Sequence, residues 1–511
     1  MQETITSQNM NPHKLSFDTL TNTGPPPSVV VPLLKRSRTV GRTCTVDLTE
    51  ITNLVPEARK NSQRPATQCT VDALELLCEQ SASSSPYAPW VQSSTSLIRL
   101  RQLDAPYGSF ELSVLHAANS CVAHEAGQLT TTYELQLDAV ISSNCTVANL
   151  STVEGNLVLG EYARPTPLTY EDLVKIPDNL WRRPHHPNVF YAYPQAFNLT
   201  HIYDNLLQQK PIPQLPVNGH VFRYPLLSRD VCHPDNPASQ LFDLVVVVRS
   251  ALANFKRREE IRKLYSSFTN RNANANMGMR IGLVFSMGLP RSQQDNLFRR
   301  GNQLLKLQSS GGSQLTPEGL RAAAANFEAE RAIHNDLVVG DYEDTYYNLT
   351  TKTIYSFQWA AAFCRTSRPI LLFIDDDVPI SMKKFTRAIG KLSPTARAEL
   401  YRGKVLFNIP VRRFVPRGFN KWSVEKHEVP WTVYPTYTCG AFLLVGFAQV
   451  ERLAIGMLFT QAFPLEDAYT GVVAARMGLR PSSMYELVRP EDILTKRPHN
   501  LESVEHFLSK L

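Results

Sequence analysis

Three absences frame this 511-residue chain. It has no CxxC pair. Its eight cysteines (Cys44, Cys69, Cys78, Cys121, Cys145, Cys232, Cys364 and Cys439) are scattered, which argues against a zinc knuckle or a thioredoxin-type site and leaves disulfides open. It has no run approaching the ~18 to 20 apolar residues of a spanning helix. "SVVVPLLKR" is short and broken by Pro32, and the start "MQETITSQNMNPHK" is polar, so no signal peptide is visible. It has little excess charge of one sign. A net +7 over this length lacks the dense basic stripe of a nucleic-acid binder, and the most basic cluster, "NFKRREEIRK", alternates with glutamates like a solvated helix face. Nucleic acid is not an expected partner.

What is present is a globular composition, 43% apolar and 19% charged, on a chain long enough for two or three domains. Residues 1–90 are rich in Ser, Thr, Pro, Asn and Gln and read as a disordered N-terminal arm, with one helical piece, "TVDALELLCEQ". Residues 91–165 carry short alternating stretches such as "TTYELQLDAVI" and read as a small β-rich module of unknown role. Residues 166–217, with "WRRPHHPNVFYAYP" and "QQKPIPQLPVNGH", read as a proline-rich linker acting as a spacer.

From residue 218 to 511 the pattern changes. "LFDLVVVV" and "RIGLVFSMG" are continuous apolar runs, the mark of strands buried on both faces. "KRREEIRKLYSSF" sets Ile261, Leu264, Tyr265 and Phe268 at helical spacing, and "LTPEGLRAAAANFEAERAIH" opens with Thr316 and Pro317 as a helix entry. "DLVVGD", "YYNLTTKTIYSFQWAAAFC" and "PILLFI" continue as strand, helix, strand. Such alternation predicts an α/β domain with a largely parallel sheet.

The last of these strands runs into Asp375, Asp376 and Asp377 in "PILLFIDDDVPI". Ligands of open α/β sheets bind beyond the carboxyl ends of strands. Adjacent carboxylates repel one another unless a cation holds them, and oxygen ligands suit Mg²⁺ or Mn²⁺. A bare acidic turn is the other reading of the triplet taken alone.

The surrounding blocks resemble glycosyltransferase family 31, the β-1,3-galactosyltransferases and β-1,3-N-acetylglucosaminyltransferases. The similarity runs through "FRYPLLSRDVC", "LVVVVRSALANFKRREEIRKLY", "GDYEDTYYNLTTKT", "FIDDDV", "KWSVEKHEVPWTVYPTYTCGAFLL" and "FPLEDAYTGVVAARMG", in family order. It departs from the family at Tyr265, at Pro379 and in "TCGAFLL".

The resemblance implies a GT-A type nucleotide-sugar-binding domain, a mixed, mostly parallel sheet flanked by helices, at 218–511. It implies an inverting transferase that moves a hexose, galactose first and N-acetylglucosamine as runner-up, from a UDP-sugar to an acceptor glycan on protein or lipid in β-1,3 linkage. A non-catalytic glycan-binding or partner relative is the alternative. Mn²⁺ or Mg²⁺ would be held by Asp377 and Asp375, with His499 as a further ligand or a plain surface histidine. Asp375, Asp376, Arg258, Arg262, Lys352 and Trp422 would line the nucleotide-sugar site; surface charges paired with Glu259 or Glu260 are the lesser alternative for Arg258 and Arg262, and a plain surface lysine is the alternative for Lys352. Asp467 is the expected base, with Glu466 in reserve; standing at a helix start, such an acid is expected to favour its ionised form. Trp422 and Tyr434 would line the acceptor cleft or pack in the core. Asn144, Asn149, Asn198 and Asn348 are sequons. The family implies a type II Golgi membrane protein, although no anchor is visible.

Overall fold

The structure, a computed structural model, describes residues 90–91, 98–103, 132–137 and 152–487, apart from 195–197, 213–215, 219–220, 270–277, 291–296, 301–302, 307–315, 379 and 415–420. Residues 1–89 of the arm expected at 1–90, the sequons Asn144 and Asn149, Pro379 and His499 lie outside the described residues. Residues Pro86–Leu511 form one compact unit.

Strands β1 (Trp90–Val91), β2 (Ile98–Leu103) and β3 (Thr132–Leu137) make an antiparallel sheet. In β3 the alternation of "TYELQL" turns Tyr133 and Leu135 inward. Strands β4 (Thr152–Glu154) and β5 (Pro167–Thr169) pair with each other around helix α1 (Gly155–Leu159). Helices α2 (Tyr170–Lys175) and α3 (Leu199–Leu207) follow, and β6 (Val221–Tyr224) then returns to pair with β3. The sheet order is thus β1-β2-β3-β6, closed by a strand from beyond the supposed spacer.

The spacer reading of 166–217 is corrected here. Tyr170, Trp181, Val189, Tyr193, Leu199 and Ile202 are buried in the same core as the α/β elements. Polar bonds fix the segment as well. Trp431 Nε1 donates to the Val189 carbonyl at 3.0 Å, Tyr193 Oη to the Gln461 carbonyl at 2.8 Å, and Arg413 pairs with Asp178 at 3.0 Å. The prolines punctuate short apolar pieces that each find a place in the core.

The central sheet has seven strands: β7 (Leu244–Arg249), β8 (Ile281–Leu289), β11 (Leu337–Glu343), β12 (Ile370–Asp375), β13 (Tyr401–Leu406), β14 (Tyr437–Val445) and β15 (Ser482–Ser483). A separate hairpin pairs β9 (Leu297–Arg300) with β10 (Gln303–Lys306). The order is β11-β8-β7-β12-β14-β13-β15. The β11, β8, β7 and β12 strands run parallel, and β14 is antiparallel to both β12 and β13. The mixed, mostly parallel α/β expectation is met. In β7, Leu244, Val246 and Val248 enter one core while Val245 and Val247 enter the other, so both faces are covered.

Helices α4 (Phe255–Tyr265), α5 (Pro317–Ile333) and α7 (Met382–Gly390) supply Ile261, Phe327 and Phe385 to the first core. Helices α6 (Leu349–Phe363), α9 (Phe447–Leu458) and α10 (Glu466–Arg476) supply Phe357, Leu453 and Val472 to the second; α8 (Pro394–Ala398) is a single short turn. Thr316 caps α5 by accepting from the Gly319 amide at 3.1 Å, with Pro317 in the first turn, as its sequence predicts. A Cys232–Cys364 disulfide ties the approach to β7 to the end of α6, and Cys439 is free. At the far end of α10, the buried Arg476 lies 4.0 Å over the Tyr193 ring and donates to Thr460 Oγ1 at 2.7 Å. Burial there lowers its pKa to about 10.

Candidate active site

Chain order reverses between β7 and β12: from β7 the chain goes on to β8 on one side, from β12 to β13 and β14 on the opposite side. A crevice opens at such a switch point, at the carboxyl ends of the strands. There the last register pair of the two strands is Arg249 opposite Asp375, and their side chains form an ion pair at 2.8 Å. Arg249, with only 8% of its side chain exposed, also donates to the Gly440 carbonyl on β14. It is the bridge between the aspartate triplet and the acids across the crevice.

The three aspartates have different environments. Asp376 is fully engaged, accepting from Ser250 Oγ and Asn254 Nδ2, both at 2.7 Å, and from Arg257 at 3.1 Å. It fixes the loop after β7 to the end of β12. Asp377 lies 4.0 Å from Arg257. Asp375 keeps 41% of its side chain open to solvent. Its pKa is nevertheless pushed up to about 7, first by the protein mass around the crevice floor and then by Glu466, Asp377 and Asp376, against the pull of Arg249.

Across the crevice, α10 begins with Glu466 and Asp467. Asp467 accepts from the amides of Ala468 at 2.7 Å and Gly440 at 3.3 Å. A methyl group on Gly440 would come within 2.5 Å of Glu466 Oε1, so glycine permits this approach of strand to helix. Burial pushes Glu466 up to about 7, reinforced by the charge of Asp467 and opposed by Arg249. Asp467 is also raised by burial, against its two amide donors. The helix-start expectation of easy ionisation is therefore corrected. A helix terminus is worth only ~0.3 to 1 kcal/mol, and desolvation outweighs it here. Beneath the pair is a cavity of about 20 Å³ lined by Arg249, Thr353, Cys439, Gly440, Glu466 and Asp467.

Several sequence-predicted residues lie elsewhere or act indirectly. Arg258 is wholly buried and pairs with Glu330 at 2.7 Å, while donating to Ser250 Oγ and to the carbonyls of Ala251 and Leu252. Arg262 pairs with Glu330 and Asp336, both at 2.7 Å. Both guanidinium groups are taken up by carboxylates: Glu330 is the main partner, and Arg262 also pairs with Glu259 at 3.8 Å, as the alternative reading expected. Arg258 instead shapes the loop from which Ser250 holds Asp376. Lys352 is buried between Asp344, at 2.8 Å, and the Ser250 carbonyl, at 2.8 Å, so a direct phosphate role is corrected too. Tyr434 is buried and packs between Tyr437 and Phe463, which removes it from the cleft surface. Trp422 is 46% exposed and stays a surface candidate.

Asn198 is exposed and caps α3, and Asn348 is half-buried with its amide donating to the Glu343 carbonyl at 2.8 Å. Sequence reasoning missed Arg249, Arg257 and Gly440. An arginine closing the run "VVVVR" was the available signal for the first.

No group of three or more His, Cys, Asp and Glu side chains able to cage a metal occurs among the described residues. The donor chemistry fits a looser arrangement. Asp375 and Asp377 offer hard oxygens at a site crowded with negative charge, and Mg²⁺-like ions are commonly held by one or two carboxylates plus substrate phosphates. Asp376, already saturated, does not join them. No helix among the described residues is long and apolar enough to cross a membrane.

Residues 319–485 match the profile of the galactosyltransferase family. Human "UDP-GlcNAc:betaGal beta-1,3-N-acetylglucosaminyltransferase 9" is 26% identical over 266 residues, covering 51% of this chain and 59% of that protein, less than two thirds of its length. Mouse "Beta-1,3-galactosyltransferase 1" is 24% identical over 266 residues, covering 52% and 68%. A human "Acetylgalactosaminyl-O-glycosyl-glycoprotein beta-1,3-N-acetylglucosaminyltransferase" is 27% identical over 248 residues, covering 48% and 56%.

Proposed function

We propose that this chain, which belongs to glycosyltransferase family 31 with the galactosyltransferases it matches, is an inverting β-1,3-transferase that uses a UDP-sugar, with galactose as the first donor and N-acetylglucosamine as the runner-up. The observation that carries the reading is the Arg249–Asp375 pair at the switch point with Glu466 and Asp467 facing it.

Asp467 is the base in this reading. Its two amide donors favour the carboxylate, while Glu466 carries the larger burden of burial and neighbouring charge and holds its proton near neutrality. The acceptor hydroxyl gives its proton to Asp467 as its oxygen bonds to the anomeric carbon. The bond from that carbon to the diphosphate breaks on the opposite face, and UDP leaves. Arg249 holds Asp375 in register and offsets the acids on both walls. Mn²⁺ or Mg²⁺ on Asp375 and Asp377 would offset the diphosphate's charge. The GT-A assignment, a role for His499, and glycans on Asn144, Asn149, Asn198 and Asn348 are part of the same proposal. So is a Golgi location. The Cys232–Cys364 disulfide supports an oxidising compartment.

The test is UDP release by the full chain with Mn²⁺, either donor, and a panel of β-glycoside acceptors. Acceptor-dependent release with one donor, lost in Asp377→Ala and Asp467→Asn, is the expected result. Folded protein that binds no UDP would refute the reading.

A further inference from the structure

One surface feature near the acids has no part in the steps above. Trp422, nearly half exposed, is flanked by two cations: the Arg412 guanidinium carbon lies 4.9 Å from its ring centroid and Lys421 Nζ 5.0 Å. Lys421 also lies 5.2 Å from the ring centroid of Tyr346, whose phenol oxygen accepts from the Trp422 indole N–H. Tyr346 stands just beyond the carboxyl end of β11, the end of the sheet that carries Asp375 on β12. Burial pushes its pKa up to about 12, with the charges of Glu466 and Asp467 adding to the shift.

The two cations differ from their neighbours. Arg413 and Lys426 are both held by Asp178 at 3.0 Å. Among the described residues, Arg412 and Lys421 have no carboxylate partner, and the sequence from Val411 to Trp422 contains no acid. Cation–π contact satisfies only one side of each charge. A flat, half-exposed indole takes the C–H face of a sugar ring, and a guanidinium beside an ammonium binds a carboxylate or sulfate by charge-assisted hydrogen bonds. The acids of the crevice, only partly offset by Arg249 and Arg257, disfavour an anionic acceptor unless cations at the rim hold its charge away from them.

We propose that this ledge is the acceptor subsite and takes an acidic saccharide, a glycan bearing a uronate carboxylate or a sulfate ester near the reacting hydroxyl. The inference rests on the transferase reading and adds the acceptor's chemical class to it.

The test fixes the donor and compares matched p-nitrophenyl acceptors: β-glucoside against β-glucuronide, and β-galactoside against its sulfate ester. The acidic member of a pair is expected to show a KM lower by about tenfold. Arg412→Gln and Lys421→Gln are expected to raise that KM toward the neutral value, while Lys421→Arg, which keeps the charge, keeps the preference. Which pair responds separates carboxylate from sulfate. Equal KM values for acidic and neutral acceptors would overturn the proposal and leave the transferase standing. Turnover of nothing at all would instead count against the transferase. Saturation-transfer NMR with the glucuronide and the sulfated galactoside then decides the ledge alone: binding lost in both Gln variants supports it, and no binding to the wild type overturns it.

Discussion

Arg249 and Asp375 are register partners on adjacent parallel strands, and their side chains meet at 2.8 Å where those strands end. The same arginine reaches the Gly440 carbonyl, so one side chain ties three neighbouring strands together at the crevice. Arg249→Met is expected to abolish acceptor-dependent UDP release and to lower stability by about 1 to 3 kcal/mol, since the acids around it would lose a counter-charge at a partly solvated site. Urea denaturation beside the activity assay checks both. Arg249→Lys, which keeps the charge without the fork, is expected to fall between.

The two acids at the start of α10 should separate. On the transferase reading, Asp467→Asn removes the proposed base and is expected to lower kcat about 10²- to 10⁴-fold. Glu466→Gln replaces a group already holding its proton near neutrality and is expected to cost far less. Equal losses from both, measured with saturating donor, would mean that the pair acts as one unit.

Glu330 gives a pH signature in stability rather than in chemistry. Burial alone would raise its pKa, but hydrogen bonds and charge from Arg258 and Arg262 outweigh it and hold the carboxyl below its usual 4.5. A depressed folded pKa contributes stability that is fully present above the unfolded value and lost as pH falls through the folded one. The stability gap between wild type and Glu330→Gln should therefore be widest near pH 7 and shrink below about pH 4.5. Urea midpoints across that range check it.

Reducing the Cys232–Cys364 bridge opens a link between residues 132 positions apart. Replacing both cysteines with alanine is expected to lower stability by about 2 to 5 kcal/mol. A fall in melting midpoint on adding reductant, absent from the double variant, is the readout.

A chain beginning at residue 218 should fail to fold. It would strip Val189 from Trp431 and Tyr193 from Arg476, leaving a buried indole donor and a buried guanidinium without their covers. Aggregation of this fragment, beside soluble full-length protein, is the expected outcome.

The central sheet was legible because strands buried on both faces are unbroken apolar runs, as in "LVVVV" and "ILLFI". The acids were legible as residues: Asp375 to Asp377 by their crowding at a strand end, Glu466 and Asp467 by resemblance. Their arrangement was not. Arg249 and Gly440 enter the site through strand register, which depends on pairings between distant segments. Arg258 and Arg262 share a helix face as read, but the carboxylates that claim them come from Glu330 on α5 and Asp336 just after it. Lys352 is claimed in the same way by Asp344. In 166–217 frequent prolines concealed the apolar residues between them, and burial of Tyr170, Val189 and Tyr193 depends on partners hundreds of positions away.

That last distance bears on how the chain is made. Val189 leaves the ribosome 242 residues before Trp431, the indole that binds its carbonyl. At about 5 to 20 residues per second, the interval is roughly 10 to 50 s. For that time Trp181, Val189 and Tyr193 are already synthesised while the later half of their shared core is not, and chaperones have that window in which to shield them.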